Sequence, residues 1–480
     1  MAEILKLDAT DMLAALAARR VSALELLEAS LSRQQTVHGQ LNAVIATNLE
    51  RAMERARAVD ELRAKGEPLG PLAGLPMTVK DTFDVVGMPA SSGVEALRRR
   101  VAENADVISH VKAAGAVIWG KTNVPVMAGD WQSFNRLYGT TNNPWDVTRT
   151  PGGSSGGAAA ALAAGITALE IGSDIGGSLR VPANFCGVFS HKPTWGLVSQ
   201  HGHVPPSPGS WSERDLNVVG PMARSARDLR LLLSVIENGP MPQRVPPVDL
   251  ATLRVGLWLD EPSFVLDPEV RAAIESFAAE LAAAGAEVVP IASPVHMPTL
   301  MAAYQTLLGA VLGEDMPPGM IRGMERLRGW AKWSINRGAA PLSTAALTLA
   351  YTATHREWMA ADAVRNRLRR EAGAAFETYD VIIAPIAPVV AFPHDHRPFG
   401  RRKLATANGR TFPYNAMLNW IAFATALHLP ATTVPAGRAA SGLPVGVQLI
   451  GPPGGDSRTL AIAQAIDENL RGFVAPDLDL

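Results

Sequence analysis

The chain has 480 residues, of which 47% are hydrophobic and 19% are charged. This composition is typical of a folded protein with a large apolar core. The formal net charge of −1 gives no electrostatic reason to expect nucleic acid or an anionic membrane as a partner. Cys186 is the one cysteine, which excludes an internal disulfide and a metal site built from cysteines. We expect a cytoplasmic protein.

The first 65 residues are predicted to be helical. The stretch MAEILKLDATDMLAALAARR carries charges among its apolar positions, which favours an amphipathic helix over a signal peptide. Ser22 and Glu25 form a capping box ahead of the next helix. The most apolar run of the chain, at about 156–169, is too short to cross a bilayer, so we expect no membrane-spanning segment.

Apolar strands alternate with helices through much of the remaining chain. LPMTVK is predicted as a short strand that ends at Lys80, and AVIWG as a buried strand after a helix that stops at Gly115. Further on, Asp267 and Pro268 mark the N-cap and the first turn of a helix that lies between two strands. The alternation predicts an α/β fold around a mixed, buried sheet.

Two segments interrupt this alternation. The proline-rich stretch ENGPMPQRVPPVDL at 237–250 is predicted to be a surface connector. The region 295–375 is predicted to be helical and is rich in methionine and tryptophan. Two interpretations of this region stay open. It is either ordinary core or an adaptable apolar lid over a binding site, because methionine side chains fill irregular shapes.

The glycine–serine run TPGGSSGGAAAALAAG at 150–165 allows three interpretations. A flexible linker should separate two domains, but this run leads directly into a strong helix former and then a strand. Its GxSxG pattern, from Gly152 to Gly156, resembles the nucleophile elbow of serine hydrolases, which needs a strand immediately before the serine. The preceding YGTTNNPWDVTRTP is rich in turn residues and predicts no such strand.

The third interpretation joins this run to the next turn, GSDIGGSLR at 172–180. A helix of about eight residues spans about 12 Å, and the following strand returns about 20 Å. Ser154 and Ser178 are therefore expected at the same edge of the sheet. Adjacent glycines let successive backbone N–H groups face one side, which makes a cradle for an oxyanion. Two serines beside such a cradle need only a base, for which Lys80 and Lys121 are the candidates.

These stretches resemble the motifs of the amidase signature family. The resemblance is carried by GLPMTVKD, GKTNVP, GTTNNPWDVTRTPGGSSGGAAAALAAG, GSDIGGSLRVPANFCGVFSHKPTWG and GPMARS, and it continues through YDVIIAPIAP and LPATTVPAG. It implies an amidase signature fold of the α/β class, with a large mixed, twisted sheet that helices cover on both faces. It also implies one domain over 1–480. Within this domain, 1–65 is a helical N-terminal segment, 66–236 the signature core, and 251–480 the remainder with a lid-like region at about 295–375.

The resemblance also implies which residues carry the chemistry. The family's Ser–cis-Ser–Lys triad falls on Ser178 as the nucleophile, Ser154 as the bridging serine and Lys80 as the base. The oxyanion donors fall on the backbone N–H groups of Ile175, Gly176, Gly177 and Ser178. Lys121 matches a family motif outside the triad. The resemblance implies neither a cofactor nor a metal ion.

This mechanism makes physical demands on the site. A lysine base must be neutral, so its ordinary pKa of about 10.4 must fall to about 7 to 8. Burial produces such a shift, so Lys80 should be buried and not a solvated surface lysine. Ser154 can relay the proton because one hydroxyl both donates and accepts. We expect Ser154 within hydrogen-bonding distance of both Lys80 and Ser178, and the peptide bond before it in cis.

Further polar residues lie near these motifs in the sequence. Asp174 and Arg180 flank the proposed nucleophile and either brace its loop or form a plain surface salt bridge. Ser155 is predicted to cap the helix that follows it. The HGH motif at 201–203 is expected to approach the pocket, whereas HDH at 394–396 is interpreted as polar surface.

The reaction is expected to be acyl transfer from an amide. Its substrate depends on which kind of family member this chain is. The amidotransferase subunit that acts on glutamyl-tRNA usually carries RQPA and SLDQ, where this chain has RVPA and SERDLNVVG. This difference favours a free-standing hydrolase, monomeric or homodimeric. The methionine- and tryptophan-rich region favours a small apolar or aromatic amide, with esters and carbamates (urethanes) as further candidates. An amidotransferase-type subunit, or a non-catalytic assembly subunit with the same fold, is the alternative.

Overall fold

The computed structural model describes residues 2–239, 245–339 and 343–478. The predicted connector at 237–250 and the region 295–375 therefore lie partly outside the described residues. The helices are α1 (Ala9–Ala17), α2 (Ala23–Leu41), α3 (Leu49–Ala64), α4 (Asp106–Ala113), α5 (Gly156–Ala163), α6 (Arg180–Cys186), α7 (Ala226–Ile236), α8 (Pro268–Ala283), α9 (Met297–Gly313), α10 (Pro318–Arg326), α11 (Arg328–Asn336), α12 (Thr344–Tyr351), α13 (His355–Thr378), α14 (Leu418–Ala426) and α15 (Asp456–Asn469). The strands are β1 (Val44–Thr47), β2 (Pro76–Lys80), β3 (Val117–Thr122), β4 (Phe134–Asn135), β5 (Gly139–Thr140), β6 (Leu169–Asp174), β7 (Phe189–Lys192), β8 (Val218–Ala223), β9 (Arg254–Leu257), β10 (Glu287–Pro290), β11 (Val381–Pro385), β12 (Lys403–Ala405), β13 (Thr411–Pro413), β14 (Ala431–Arg438) and β15 (Pro444–Ile450).

Eight strands form one mixed sheet in the order β10–β9–β11–β15–β14–β7–β8–β6. The strands β10, β9 and β11 run parallel to one another, and every further neighbour in this order pairs antiparallel. A second sheet has the order β1–β3–β2, with β2 parallel and β1 antiparallel to β3. The predicted α/β fold around a large mixed sheet is confirmed.

Apolar clusters cover both faces of the large sheet, as the side chains of β11 show. Val381 and Ile383 pack into one apolar cluster with α8 and α15, whereas Ile382 and Ala384 pack into a second cluster with α9 and α14. Successive residues of a strand face opposite sides of its sheet, so the two clusters lie on opposite faces. Burial on both faces explains why β11 is a continuous apolar run with no polar alternation.

The two sheets meet where β2 lies against β6. Thr78 on β2 donates a hydrogen bond to Glu170 on β6, and both side chains are fully buried. The strand β2 ends at Lys80, and Lys80 Nζ lies 2.9 Å from Ser173 Oγ near the end of β6. The ends of both strands therefore lie together.

The N-terminal segment is mostly helical, as predicted, with one exception. The capping box of Ser22 and Glu25 begins α2, and Asp267 caps α8 with Pro268 in its first turn, so both predictions are confirmed. The prediction of helix throughout the first 65 residues is wrong at Val44–Thr47, which forms β1 and pairs with β3. The sequence VIAT is dominated by β-branched residues, which favour a strand.

The methionine- and tryptophan-rich region folds into the helices α9 to α13. Met297 and Tyr304 are buried, but Trp330 and Trp333 are 46% and 53% exposed. The interpretation of this region as ordinary core therefore fails for α11. Within the described residues, neither these helices nor the others are long and apolar enough to cross a membrane.

Candidate active site

Lys80 lies at the buried end of β2 and contacts two serine hydroxyls. Its side chain has no exposed surface, and its Nζ lies within hydrogen-bonding distance of Ser154 Oγ at 2.8 Å and of Ser173 Oγ at 2.9 Å. Burial lowers the pKa of Lys80 to about 7, although the negative charges of Asp174 and Glu170 oppose the shift. The interpretation of Lys80 as a solvated surface lysine is excluded, and its amine can be neutral near pH 7.

Ser154 occupies the position between strand β2 and the loop after β6. The peptide bond that joins Gly153 to Ser154 is cis, as the resemblance implied. A side chain at residue 153 has no room, because a Cβ there would lie 2.5 Å from the carbonyl oxygen of Asp130. The backbone of Gly153 can therefore approach this neighbouring segment only because glycine has no Cβ.

Ser178 lies in the loop between β6 and α6, on a segment that contacts the glycine–serine run. The backbone N–H of Ser155 donates to the carbonyl oxygen of Ser178 at 3.2 Å. The expected bond between the hydroxyls of Ser154 and Ser178 is not among the hydrogen bonds that the described residues form.

The turn 175–178 presents fewer free N–H groups than its sequence suggests. The N–H of Gly177 donates to Asp174 Oδ1 at 2.9 Å, so it is already occupied. In the part of the chain that the structure describes, no acceptor lies on the N–H groups of Ile175, Gly176 and Ser178. Of the four N–H groups predicted as oxyanion donors, these three are therefore available.

Two aromatic side chains hold the carbonyl groups of this turn. Trp131 Nε1 donates to the carbonyl oxygen of Gly176 at 2.7 Å, and the Tyr304 hydroxyl donates to that of Ile175 at 3.1 Å. In a trans peptide the C=O and the following N–H point in opposite directions. Anchoring the Ile175 carbonyl therefore fixes the N–H of Gly176. Sequence reasoning missed both residues, because neither lies in a quoted motif and Tyr304 comes from the methionine- and tryptophan-rich region at 295–375.

Asp174 and Arg180 form a buried pair that braces the turn, so the interpretation as a surface salt bridge is wrong. Neither side chain is exposed, and Arg180 donates to both carboxylate oxygens at 3.1 and 2.9 Å. Burial alone would raise the pKa of Asp174, but the charge and the hydrogen bonds of Arg180 lower it to about 2. Arg180 also reaches Thr425 and Gln448, which ties the turn to α14 and β15.

Ser155 stands at the N-cap position of α5, but its side chain makes no capping hydrogen bond. Its Oγ is buried without a partner in the described structure. The prediction that the Ser155 side chain caps α5 is therefore wrong. Ser133 Oγ instead accepts from the N–H of Gly156 at 3.1 Å.

The HGH motif reaches the site through its second histidine, as expected. His203 Nε2 lies 2.8 Å from Ser173 Oγ, the second hydroxyl that Lys80 contacts. Its ring lies edge-on to Phe83, with ring centroids 5.1 Å apart. Ser173 lies within the quoted motif GSDIGGS, but its contact with Lys80 could not be read from the spacing.

Lys121 is fully buried and serves a different set of atoms from Lys80. Its Nζ donates to the carbonyl oxygen of Phe83 and lies 3.7 Å from Asp81. It contacts neither Ser154 nor Ser178 in the described structure. This position agrees with the resemblance, which places Lys121 in a family motif outside the triad.

The HDH loop and Cys186 lie apart from these contacts. Asp395 pairs with Arg397, and His396 stacks on Phe134 with centroids 4.1 Å apart. His394 is half-buried, so the loop is less exposed than the interpretation as polar surface predicts. Cys186 is buried, and burial raises the pKa of its thiol.

A cavity of about 1070 Å³ lies between α9, α12, α13 and the segment before α14, and the described residues that line it do not include the turn 175–178. Much of its lining is apolar, including Met301, Ala346, Leu349, Ala361, Val364 and Phe412. The elements that line it also contact the turn, because Tyr304 on α9 holds the Ile175 carbonyl and Leu418 on α14 packs against Gly176. The helices α9 and α14 therefore lie between this cavity and the turn that carries Ser178.

Comparisons with known proteins agree with this architecture. A family model described as Amidase matches residues 25–460. A glutamyl-tRNA(Gln) amidotransferase subunit of Anaeromyxobacter sp. (strain K) is 36% identical over an alignment of 502 positions, which covers 99% of this chain and 98% of that protein. A solved structure described as an amidase has a TM-score of 0.79 at 29% identity and covers 97% of this chain and 100% of its own. The peptide amidase of Stenotrophomonas maltophilia has a TM-score of 0.76 at 27% identity and covers 98% and 99% of the two chains. The chain belongs to the amidase signature family, a family of amide C–N hydrolases and amidotransferases.

Proposed function

We propose that the chain hydrolyses amide bonds through an acyl-enzyme on Ser178. The observation that carries this proposal is the 2.8 Å contact between the buried Lys80 Nζ and Ser154 Oγ, since burial makes the amine a base near pH 7. In the first step Ser178 Oγ attacks the substrate carbonyl carbon. Its proton passes to Ser154, whose own proton passes to Lys80.

The turn 175–178 stabilises the charge that this attack creates. The N–H groups of Ile175, Gly176 and Ser178 donate to the oxygen that becomes negative in the tetrahedral intermediate. When the intermediate collapses, the C–N bond breaks and the leaving amine takes the proton back from Lys80 through Ser154. Water then attacks the acyl carbon of the ester on Ser178 while the base accepts a proton from it. The bond between that carbon and Ser178 Oγ breaks, Oγ takes the proton back from the base, and the acyl group leaves as a carboxylic acid.

We further propose a small apolar or aromatic amide as the substrate, with esters and carbamates as chemically equivalent alternatives. The support is that α9 and α14, whose Tyr304 and Leu418 contact the turn, also line a largely apolar cavity, and transfer of an apolar acyl or amine group from water to such a lining is favourable. The exposed tryptophans of α11 support it less, since they do not line the cavity.

The test combines active-site labelling with a substrate panel. A fluorophosphonate should label the wild-type protein, and Ser178→Ala should abolish both the label and the hydrolysis of nitroanilides, amides, esters and carbamates. Lys80→Ala should lose at least about 100-fold in rate, the usual value of a general base. Ser441→Ala, at an exposed serine, is the matched control and should behave as wild type.

Three results would argue against parts of this proposal. A label that persists in Ser178→Ala would exclude Ser178 as the nucleophile. No label and no hydrolysis in the wild type would favour a non-catalytic assembly subunit. Equal rates for acetamide and for aromatic or long-chain anilides would contradict the apolar substrate class.

A second candidate function is that of an amidotransferase subunit. The 36% identity to a glutamyl-tRNA(Gln) amidotransferase subunit over nearly the whole chain favours it. The same serines and lysine would then release ammonia from an amide donor such as glutamine. Purification of the chain from its own cells, followed by an assay of amide transfer to glutamyl-tRNA(Gln), separates the two. Co-purifying subunits and transfer activity would support this candidate, whereas an isolated chain that hydrolyses anilides would support the first.

A further inference from the structure

A chain of buried polar contacts continues beyond the proposed triad. Lys80 Nζ donates to Ser173 Oγ at 2.9 Å, and Ser173 Oγ lies 2.8 Å from His203 Nε2. His203 Nδ1 lies 2.5 Å from the carbonyl oxygen of Pro205. Lys80 has no exposed surface, and Ser173 and His203 are 3% and 5% exposed. These groups form a single line that leads away from Ser154.

The acceptor at the far end of this line sets the direction of every bond in it. A carbonyl oxygen can only accept, so His203 Nδ1 carries the ring proton. His203 Nε2 is then an acceptor and receives the hydroxyl hydrogen of Ser173. Ser173 can therefore offer only a lone pair to Lys80, which must donate an N–H to it.

We propose that His203, acting through Ser173, is a positioning residue that orients Lys80 as a base toward Ser154. A neutral lysine has two N–H donors and one lone pair. Because Ser173 accepts one N–H, the lone pair of Lys80 is left for the hydroxyl hydrogen of Ser154, which lies 2.8 Å away. This inference rests on the proposed function, in which Lys80 is the base.

The surroundings keep His203 neutral while Lys80 titrates. Burial lowers the pKa of His203 to about 3, and the positive charges of Lys80, Arg214 and Lys121 contribute to the shift. The carboxyl groups that act on Lys80 itself are Asp174, whose pKa Arg180 helps to hold at about 2, and Glu170, whose pKa burial raises to about 8. Substitution of His203 by a neutral side chain therefore removes an acceptor without removing a charge.

His203→Leu and His203→Gln separate the two roles that His203 can have. Leucine has no acceptor, so Ser173 is free to donate to the lone pair of Lys80. That bond stabilises the neutral amine and diverts its lone pair from Ser154. The rate of fluorophosphonate labelling should fall by about 10- to 100-fold, and the pKa of its acid limb should fall below that of the wild type. Glutamine can place an amide oxygen near the position of Nε2 and should restore most of the rate.

A merely structural role predicts a different result. If His203 only packed against Phe83, its loss would let water reach Lys80 and raise the acid-limb pKa, because hydration favours the charged amine. An upward shift, or a wild-type rate and pKa in His203→Leu, would overturn the proposal. In a Ser173→Ala background, His203→Leu should cause no further loss, since both act through one bond.

Nitrogen NMR of protein labelled with ¹⁵N-histidine tests the contact without catalysis. The His203 resonances, identified by their loss in His203→Gln, should show a protonated Nδ1 and a bare Nε2 at neutral pH, and Ser173→Ala should shift Nε2. A protonated Nε2, or no shift, would overturn the inference. Failure of the proposed function shows instead in the wild type, which would take no label on Ser178 and would overturn both proposals.

Discussion

At the scale of single residues, the partners of a buried group decide its charge. Lys80 and Asp174 are both fully buried and lie in the same site. Lys80 contacts hydroxyl groups, so burial dominates and lowers its pKa to about 7. Burial alone would raise the pKa of Asp174, but the charge and hydrogen bonds of Arg180, with the charge of Lys192 and the Gly177 N–H, together lower it to about 2. One buried environment thus provides both a base that can be neutral and an anion that stays charged.

The pH dependence of the reaction should follow Lys80. The base works only when it is neutral, so kcat/KM should rise with pH through about 7 and then reach a plateau. A pH series of kcat/KM with a nitroanilide or ester that the protein cleaves measures this limb. Lys332→Ala, which removes an exposed lysine, should leave the limb in place. A limb near pH 10 would mean that Lys80 is not the base or is not buried in solution.

At the scale of elements, the methionine- and tryptophan-rich region at 295–375 makes a direct hydrogen bond to the turn 175–178. The helix α9 supplies Tyr304, whose hydroxyl bonds to the Ile175 carbonyl, while Trp131 holds the Gly176 carbonyl from another segment. Both bonds come from elements outside the signature motifs that contain the serines. The helix α9 and the segment of Trp131 therefore help to orient the N–H groups that the proposed reaction needs.

Removal of the Tyr304 hydroxyl should weaken catalysis more than substrate binding. Tyr304→Phe loses one hydrogen bond, worth about 0.5 to 1.5 kcal/mol, so kcat should fall roughly twofold to tenfold with KM unchanged. Steady-state kinetics with one substrate measures both constants, and Tyr351→Phe on α12 serves as the control. A rise in KM at constant kcat would assign Tyr304 to substrate binding instead.

At the scale of the whole molecule, the two large apolar clusters share the central strands of the sheet. Alternate residues of β11 belong to opposite clusters, as Ile382 and Ile383 show. Neither cluster can lose its packing without exposing the strand that also supports the other. This sharing supports the prediction that 1–480 forms one domain.

Unfolding should therefore be a single cooperative transition. Far-ultraviolet circular dichroism and tryptophan fluorescence should give coincident curves in urea, because helices and the buried tryptophans on both faces are lost together. Trp119 of the first cluster and Trp258 and Trp420 of the second are buried, so the fluorescence change reports on both clusters. An earlier transition confined to 295–375 would contradict the single-domain prediction.

The sequence by itself determined the fold class, the strand that ends at Lys80 and the motifs that identify the family. These features depend on local patterns, such as the apolar run LPMTVK and the caps at Ser22 and Asp267, which tertiary contacts reinforce. The proximity of Lys80 and Ser154 was implied by the resemblance to the family, since the residue pattern alone left Lys80 and Lys121 both open as the base. The resemblance supplied their roles, which remain proposals.

Only the tertiary structure decided which hydrogen-bonding groups are free and which already have a partner. Ser155 stands at a cap position, yet Ser133 makes the bond, and Gly177 N–H is occupied by Asp174. The contact of His203 with Ser173 joins residues far apart in the chain. A sequence pattern states which groups are present, but each donor bonds to whichever acceptor packing brings within about 3 Å, and that choice depends on the complete fold.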